Sequence, residues 1–199
     1  MQFYYTLSSP YAKNVRTIIA LLGISDQVQF IESHPFKDEE AFLTASPLGK
    51  VPCLVDNGET IVDSEVICDY LDANYTGGEL FNPIYADWRL KSLLSVCSGL
   101  IDSLVSRRIE ETRKNEDSFS KFWWERQNKA ITRTLGYIES KLSLLPETLT
   151  ILQICLMSAL EYLDFRHRDI EWRKNYPELE KFYQIWSGVE CFQTTLLKD

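Results

Sequence analysis

Residues 47–71 read PLGKVPCLVDNGETIVDSEVICDYL, and the local signals in this stretch decide the fold. Val51–Val55 and Thr60–Val62 are short β-prone runs separated by Asp56-Asn57-Gly58-Glu59. Asn-Gly between two apolar runs is the strongest short-range hairpin signal, because a two-residue turn with positive φ at both positions matches the twist of paired strands. Asp63-Ser64 then offers a helix N-cap. Val66, Ile67, Tyr70 and Leu71 keep one helical face, which runs out at Gly77-Gly78. The stretch predicts strand, turn, strand, helix.

Upstream, Gln2–Leu7 is β-prone and reaches a turn at Ser8-Ser9-Pro10. Val15, Ile18, Ile19 and Leu22 form a helical apolar face that stops at Gly23. Gln27–Glu32 reads as a second strand, with a crossover long enough for parallel pairing. Asp38–Thr44 suits a short helix closed by Ser46-Pro47-Leu48-Gly49. The order is β-α-β-α-β-β-α, an α/β domain over residues 1–78. Beyond a turn-rich linker at about 79–83, residues 84–199 predict only helices. These are Ala86–Glu111, Phe119–Leu144, Ile151–Leu163 and, after Pro177, Glu178–Val189. The third is apolar on every face yet too short to span a membrane, which marks a buried central helix. Thr150 with Gln153 forms a capping box at its start, and Leu149 with Ile154 a hydrophobic staple.

The 199 residues carry 21 basic and 29 acidic side chains, a net charge of −8. Such a chain repels phosphate backbones and offers no basic stripe, so nucleic acid is not an expected partner. Residues 1–78 hold four basic and eleven acidic side chains, so an anionic ligand there needs local donors. The five cysteines (Cys53, Cys68, Cys97, Cys155 and Cys191) are scattered, with no metal-ligand spacing. They read as buried thiols in a reducing compartment, and no metal is expected. Neither a secretory signal nor an apolar run of membrane-spanning length is present, so the expectation is a soluble cytoplasmic protein with no membrane partner.

Three turns could carry chemistry. Pro10 favours the first position of a helix, which makes Ser9 its N-cap; a hydroxyl beside free N–H groups and the positive dipole end can also stabilise a thiolate. Val51, held extended by Pro52, can present its N–H and C=O like an unpaired sheet edge. Asp63 and Ser64 can cap a helix, or meet an α-ammonium and an α-carboxylate. Taken singly, each has a plain structural reading.

Together with SSPYAKNVR (residues 8–16) and TILQICLMSALEYLDFR (residues 150–166), these motifs resemble the cytosolic glutathione transferases. The resemblance implies a thioredoxin-like N-terminal domain, an all-helical C-terminal domain, a homodimer, and detoxification chemistry with glutathione as co-substrate. It places Ser9 at the serine that hydrogen-bonds the glutathione sulfur. Val51 falls where the backbone pairs with the cysteinyl part, before a proline that is cis in the family. Asp63 and Ser64 fall at the γ-glutamyl head group, and Lys50, with Lys37 second to it, at the glycine carboxylate. Tyr11, Ser106 and Trp123 are the expected wall for a small apolar electrophile. A cysteine at position 9, needed for omega-like reductase chemistry, is absent, as is the Ser-Ser-Cys signature of the zeta-type isomerases. The family usually has Asp where Gln153 stands; a capping box accepts Gln, so the expected consequence is reduced stability at most. The rival reading is a non-catalytic, protein-binding module of the stringent-starvation type. His34 and His167 are expected on the surface or in loops. Arg107-Arg108 is expected at a solvated helix end, and Phe119, Phe122, Trp123 and Trp124 between packed helices.

Overall fold

The structure, a computed structural model, describes residues 1–37 and 39–199. Two compact units divide the chain: Met1–Asn82 together with Val189–Asp199, and Pro83–Gly188. The first holds a four-stranded sheet of β1 (Gln2–Tyr5), β2 (Gln29–Glu32), β3 (Cys53–Asp56) and β4 (Glu59–Val62), in the order β2-β1-β3-β4. β1 pairs with β2 in parallel and with β3 antiparallel, and β3 pairs antiparallel with β4. Helices α1 (Pro10–Leu21), α2 (Glu40–Ala45) and α3 (Ser64–Tyr75) complete the predicted order. Asp38, the expected first residue of the short helix, lies outside the described residues.

The hairpin forms as its dipeptide dictates: Asn57 at φ 50° and Gly58 at φ 84° join Asp56 to Glu59. Phe3 of β1 pairs with Leu54 of β3 and both are fully buried, as are Val15, Ile18 and Ile19 of α1 and Ile67 and Leu71 of α3, while Tyr4 and Cys53 alternate to the other face and cluster with Phe42 of α2. Burying an aliphatic or aromatic side chain of this size contributes about 1.5–3 kcal/mol. Val51 differs from expectation, because β3 begins only at Cys53. Pro52 has no N–H to place in a ladder, so the strand starts after it; the Val51–Pro52 peptide bond is cis.

In chain order there follow α4 (Asn82–Tyr85), α5 (Trp88–Thr112), α6 (Lys121–Glu139), α7 (Ile151–Arg166), α8 (Trp172–Asn175), α9 (Pro177–Ser187) and α10 (Glu190–Gln193). The second unit packs α5 against both α6 and α7. Every residue from Ile151 to Leu163 is buried, as an all-round apolar helix requires. The helix expected over Phe119–Leu144 stops at Glu139, and Leu142–Leu144 forms a single 3₁₀ turn; Pro146 holds Leu145 extended (φ −65°, ψ 138°). No helix among the described residues is long and apolar enough to cross a membrane.

The last eleven residues do not stay with the helices that precede them. Thr195 accepts hydrogen bonds from the fully buried Lys13 ammonium through its carbonyl (3.2 Å) and hydroxyl (3.3 Å), and Arg16 donates to the Leu196 carbonyl at 3.2 Å. Lys13, which an amphipathic reading of α1 leaves in solvent, is satisfied inside the first unit by this segment.

Candidate active site

Strand register gathers the candidate turns. Tyr4 of β1 pairs with Cys53 of β3, and Cys53 pairs with Val62 of β4. The end of β1, the start of β3 and the end of β4 therefore share one edge of the sheet. Ser9 leaves that edge after β1, Lys50 and Val51 approach it before β3, and Asp63-Ser64 leave it after β4. Parallel β2 also ends there, Glu32 opposite Tyr5, with exposed Lys37 five residues on.

Ser9 is the N-cap of α1 (φ −81°, ψ 121°), and its Oγ accepts from the Ala12 N–H at 3.2 Å. That bond uses a lone pair of the hydroxyl and leaves its proton for donation, so capping and thiolate stabilisation are compatible in one group. Tyr11 follows in the first turn of α1, half-buried.

No backbone hydrogen bond involves Val51 among the described residues, so both its N–H and its C=O stand open. The loop before it is pinned by Ser46, whose Oγ accepts from the Lys50 N–H (3.2 Å) and donates to the Lys50 carbonyl (2.9 Å). Gly49 takes φ 58° inside that loop, a left-handed conformation that glycine adopts without cost. The Lys50 side chain is exposed.

Asp63 caps α3 with one carboxylate oxygen, Oδ1, which accepts from the N–H groups of Glu65 (2.9 Å) and Val66 (3.4 Å). Its backbone sits at φ 75°, ψ 130°, a region that costs a residue with a Cβ about 1–3 kcal/mol. Strain of this kind is retained where a side chain must be aimed. Ser64, buried, is the first helical residue beside it.

The model of the glutathione S-transferase N-terminal domain matches residues 3–79, and that of the C-terminal domain matches residues 121–184. Over its whole length the chain is 31% identical to a glutathione transferase family member from Pseudomonas fluorescens Pf-5, crystallised with bound glutathione. Coverage is 100% of this chain and 99% of the other, at a TM-score of 0.91. This chain belongs to the glutathione transferase family. A glutathione S-transferase from Methylobacillus flagellatus KT, also with glutathione bound, is 26% identical, covers 99% of each chain and superposes with a TM-score of 0.87. The uncharacterized GST-like protein YibF of Escherichia coli K12 is 27% identical over 201 residues, 98% of either chain. The first unit is the thioredoxin-like domain of the family, and the second supplies its helical domain.

Within the second unit of this family member, Ser106 lies exposed on α5. Trp123 lies on α6, 52% exposed and edge-on to Phe122, itself 66% exposed. Neither of those two rings is packed between helices as expected, because both fall on the outward side of the first turn of α6. Trp124, the half-buried neighbour, is the one that turns inward: its ring lies 5.1 Å from the Arg107 guanidinium.

Arg107 and His167 also depart from the reading of the sequence. Arg107 is 1% exposed rather than solvated, and His167 is fully buried at the C-terminal end of α7. The guanidinium contacts His167 Nδ1, pairs with Asp169 at 2.5 Å and with Glu111 at 3.1 Å. An arginine can only donate and a carbonyl can only accept. His167 therefore accepts at Nδ1 and donates from Nε2 to the Leu104 carbonyl, 3.0 Å away, which fixes the neutral tautomer. Burial and the adjacent guanidinium push its pKa down to about 4. The acceptor atoms of Glu111, His167 and Asp169 lie within 4.8 Å of one another, and Arg107 is the cation they surround. A pair of cationic residues at the end of a helical pattern gives no sequence signal for this, since Glu111 alone is near in the chain and His167 and Asp169 lie about 60 residues away.

All five cysteines are buried. Burial raises the thiol of Cys68 well above its usual value and that of Cys97 to about 12, so neither is a thiolate at neutral pH. A surface cavity of about 580 Å³ in the first unit, lined by Arg16, Leu21, Phe30, Glu190 and Thr194 among others, includes none of the candidate site residues.

Proposed function

We propose that this transferase binds glutathione along the common sheet edge and ionises its thiol for attack on a small apolar electrophile. The observation that carries the reading is the open Val51 peptide, lying by register between the Ser9 cap and the Asp63-Ser64 cap. An extended cysteinyl residue can pair with that peptide as an added strand. The γ-glutamyl ammonium would meet the carboxylate of Asp63, its carboxylate the hydroxyl and N–H of Ser64, and the glycine carboxylate Lys50 or Lys37. Bound glutathione in the Pseudomonas fluorescens and Methylobacillus flagellatus relatives supports the assignment.

A thiol of pKa about 8.5 is only ~3% ionised at pH 7. A charge-assisted hydrogen bond from Ser9, helped by the N-terminus of α1, supplies about 1.5–3 kcal/mol, enough to lower the pKa by one to two units. The thiolate then attacks without a general base. Conjugation, displacement of a halide-like group and glutathione-dependent peroxide reduction all use that one nucleophile. The proposal includes a cytoplasmic homodimer, which a sedimentation mass of a single chain would remove.

Calorimetric titration of reduced glutathione at neutral pH tests the site. Binding in the micromolar to millimolar range is expected, weakened about tenfold or more in Asp63→Ala, which loses an ion pair with the ligand. No heat and no thermal stabilisation at 10 mM glutathione would overturn the reading in favour of a protein-binding scaffold, since a bound ligand stabilises the fold that binds it.

A further inference from the structure

We propose that Ser46 is the positioning residue for the ligand-pairing peptide of Val51, a role that rests on the glutathione reading above. Ser46 is 1% exposed and ends α2, its own N–H bonded to the Phe42 carbonyl at 2.7 Å. Its hydroxyl spans the loop and takes both polar groups of Lys50, the N–H as acceptor and the C=O as donor. The consequence comes from peptide geometry. The Lys50 carbonyl and the Val51 N–H belong to one planar unit and, across a trans bond, point in opposite directions. Drawing the carbonyl inward onto Ser46 Oγ therefore turns the Val51 N–H outward, where it has no partner among the described residues.

Pro52 does not do this by itself, because a following proline confines Val51 to the extended region, where φ still spans about 80° and the Lys50–Val51 plane can turn through that range. The anchor point is itself held. The Ala45 carbonyl, one residue before Ser46, accepts from the Thr60 hydroxyl (3.1 Å) and from the Cys53 thiol (3.3 Å). The end of α2 is thus tied to β3 and β4, and Ser46 transmits that fixed position to the peptide plane. Ser46 is buried under its own loop and acts through Lys50, so its contribution is orientation rather than contact with the ligand.

The test is the dissociation constant for reduced glutathione in wild type, Ser46→Ala and Ser46→Thr, with kcat measured at saturating glutathione. Ser46→Ala is expected to weaken binding about tenfold, the equivalent of one lost hydrogen bond. It should leave kcat within about twofold, because Ser9 is untouched, and Ser46→Thr, which keeps the hydroxyl, should restore affinity. A purely structural role would lower Tm in Ser46→Ala without moving the dissociation constant, and that outcome overturns the proposal while leaving the glutathione reading intact. Should Ser46→Ala fail to fold, Ser46→Cys offers a similar volume with a weaker donor, and unchanged affinity there would overturn it equally. Absence of binding by the wild-type protein removes both readings at once.

Discussion

Ser9 performs two tasks that can be separated by pH. As a cap it accepts the Ala12 N–H, and Ser9→Ala should cost about 1 kcal/mol of stability at every pH where the protein folds. As the proposed thiolate partner it acts only where the thiol would otherwise be protonated. Ser9→Ala should therefore lower kcat/KM about 10- to 100-fold at pH 7, with glutathione affinity nearly unchanged, and recover most of it by about pH 9.5 as the free thiol ionises. A pH–rate profile displaced upward by one to two units is the expected signature. A uniform drop at all pH values would assign Ser9 to capping alone. The sequence already carried Ser9, Val51, Asp63 and Ser64, because helix caps and a residue before proline are written in adjacent letters. Ser46 was legible only as the end of a short helix, since its partner is chosen by a loop closure that no local pattern specifies.

At the scale of elements, periodicity and turn chemistry located every strand and every helix of eleven residues or more. What they missed are the 3₁₀ turn Ser25–Gln27 and the one-turn helices Asn82–Tyr85, Trp172–Asn175 and Glu190–Gln193, which are shorter than one repeat of an apolar pattern. The capping box of α7 shows how an element exceeds its motif. Gln153 Oε1 accepts the Thr150 N–H at 3.0 Å, as the box requires, while Nε2 donates to the Pro146 carbonyl at 2.6 Å. An aspartate or glutamate could make the first bond but not the second, so Gln153 ties the preceding loop to the helix as well as capping it. Gln153→Glu should destabilise the protein by about 1–3 kcal/mol at pH 7, because the new carboxylate is buried against a carbonyl. Urea unfolding measures this directly, and equal midpoints would show that the loop bond contributes nothing.

Across the whole molecule, the decisive contacts join residues that the chain separates widely. The Lys13–Thr195 bonds return the C-terminal segment to the first unit, and Arg107 meets His167 and Asp169 inside the second. Neither is readable from a window of sequence, because each depends on which buried charge finds which acceptor. The second has a consequence for acid stability. His167 already accepts from Arg107 at Nδ1, so a proton there would set two donors face to face beside a fixed cation. Its pKa of about 4 in the fold lies below the ~6.5 of an unfolded chain, so the unfolded state binds the proton first. Stability therefore rises with pH between these values. The contribution is complete above about pH 6.5 and is lost as pH falls toward 4, by about 3 kcal/mol in all. Urea midpoints from pH 7 to pH 4 should fall more steeply for the wild-type protein than for His167→Gln, which titrates nowhere in that window. The variant should begin less stable at pH 7, having lost a buried acceptor for Arg107, and the gap should narrow as the pH drops. Parallel curves would mean that His167 is protonated in the fold as readily as in the unfolded chain, and that the arginine beside it is balanced by its carboxylates alone.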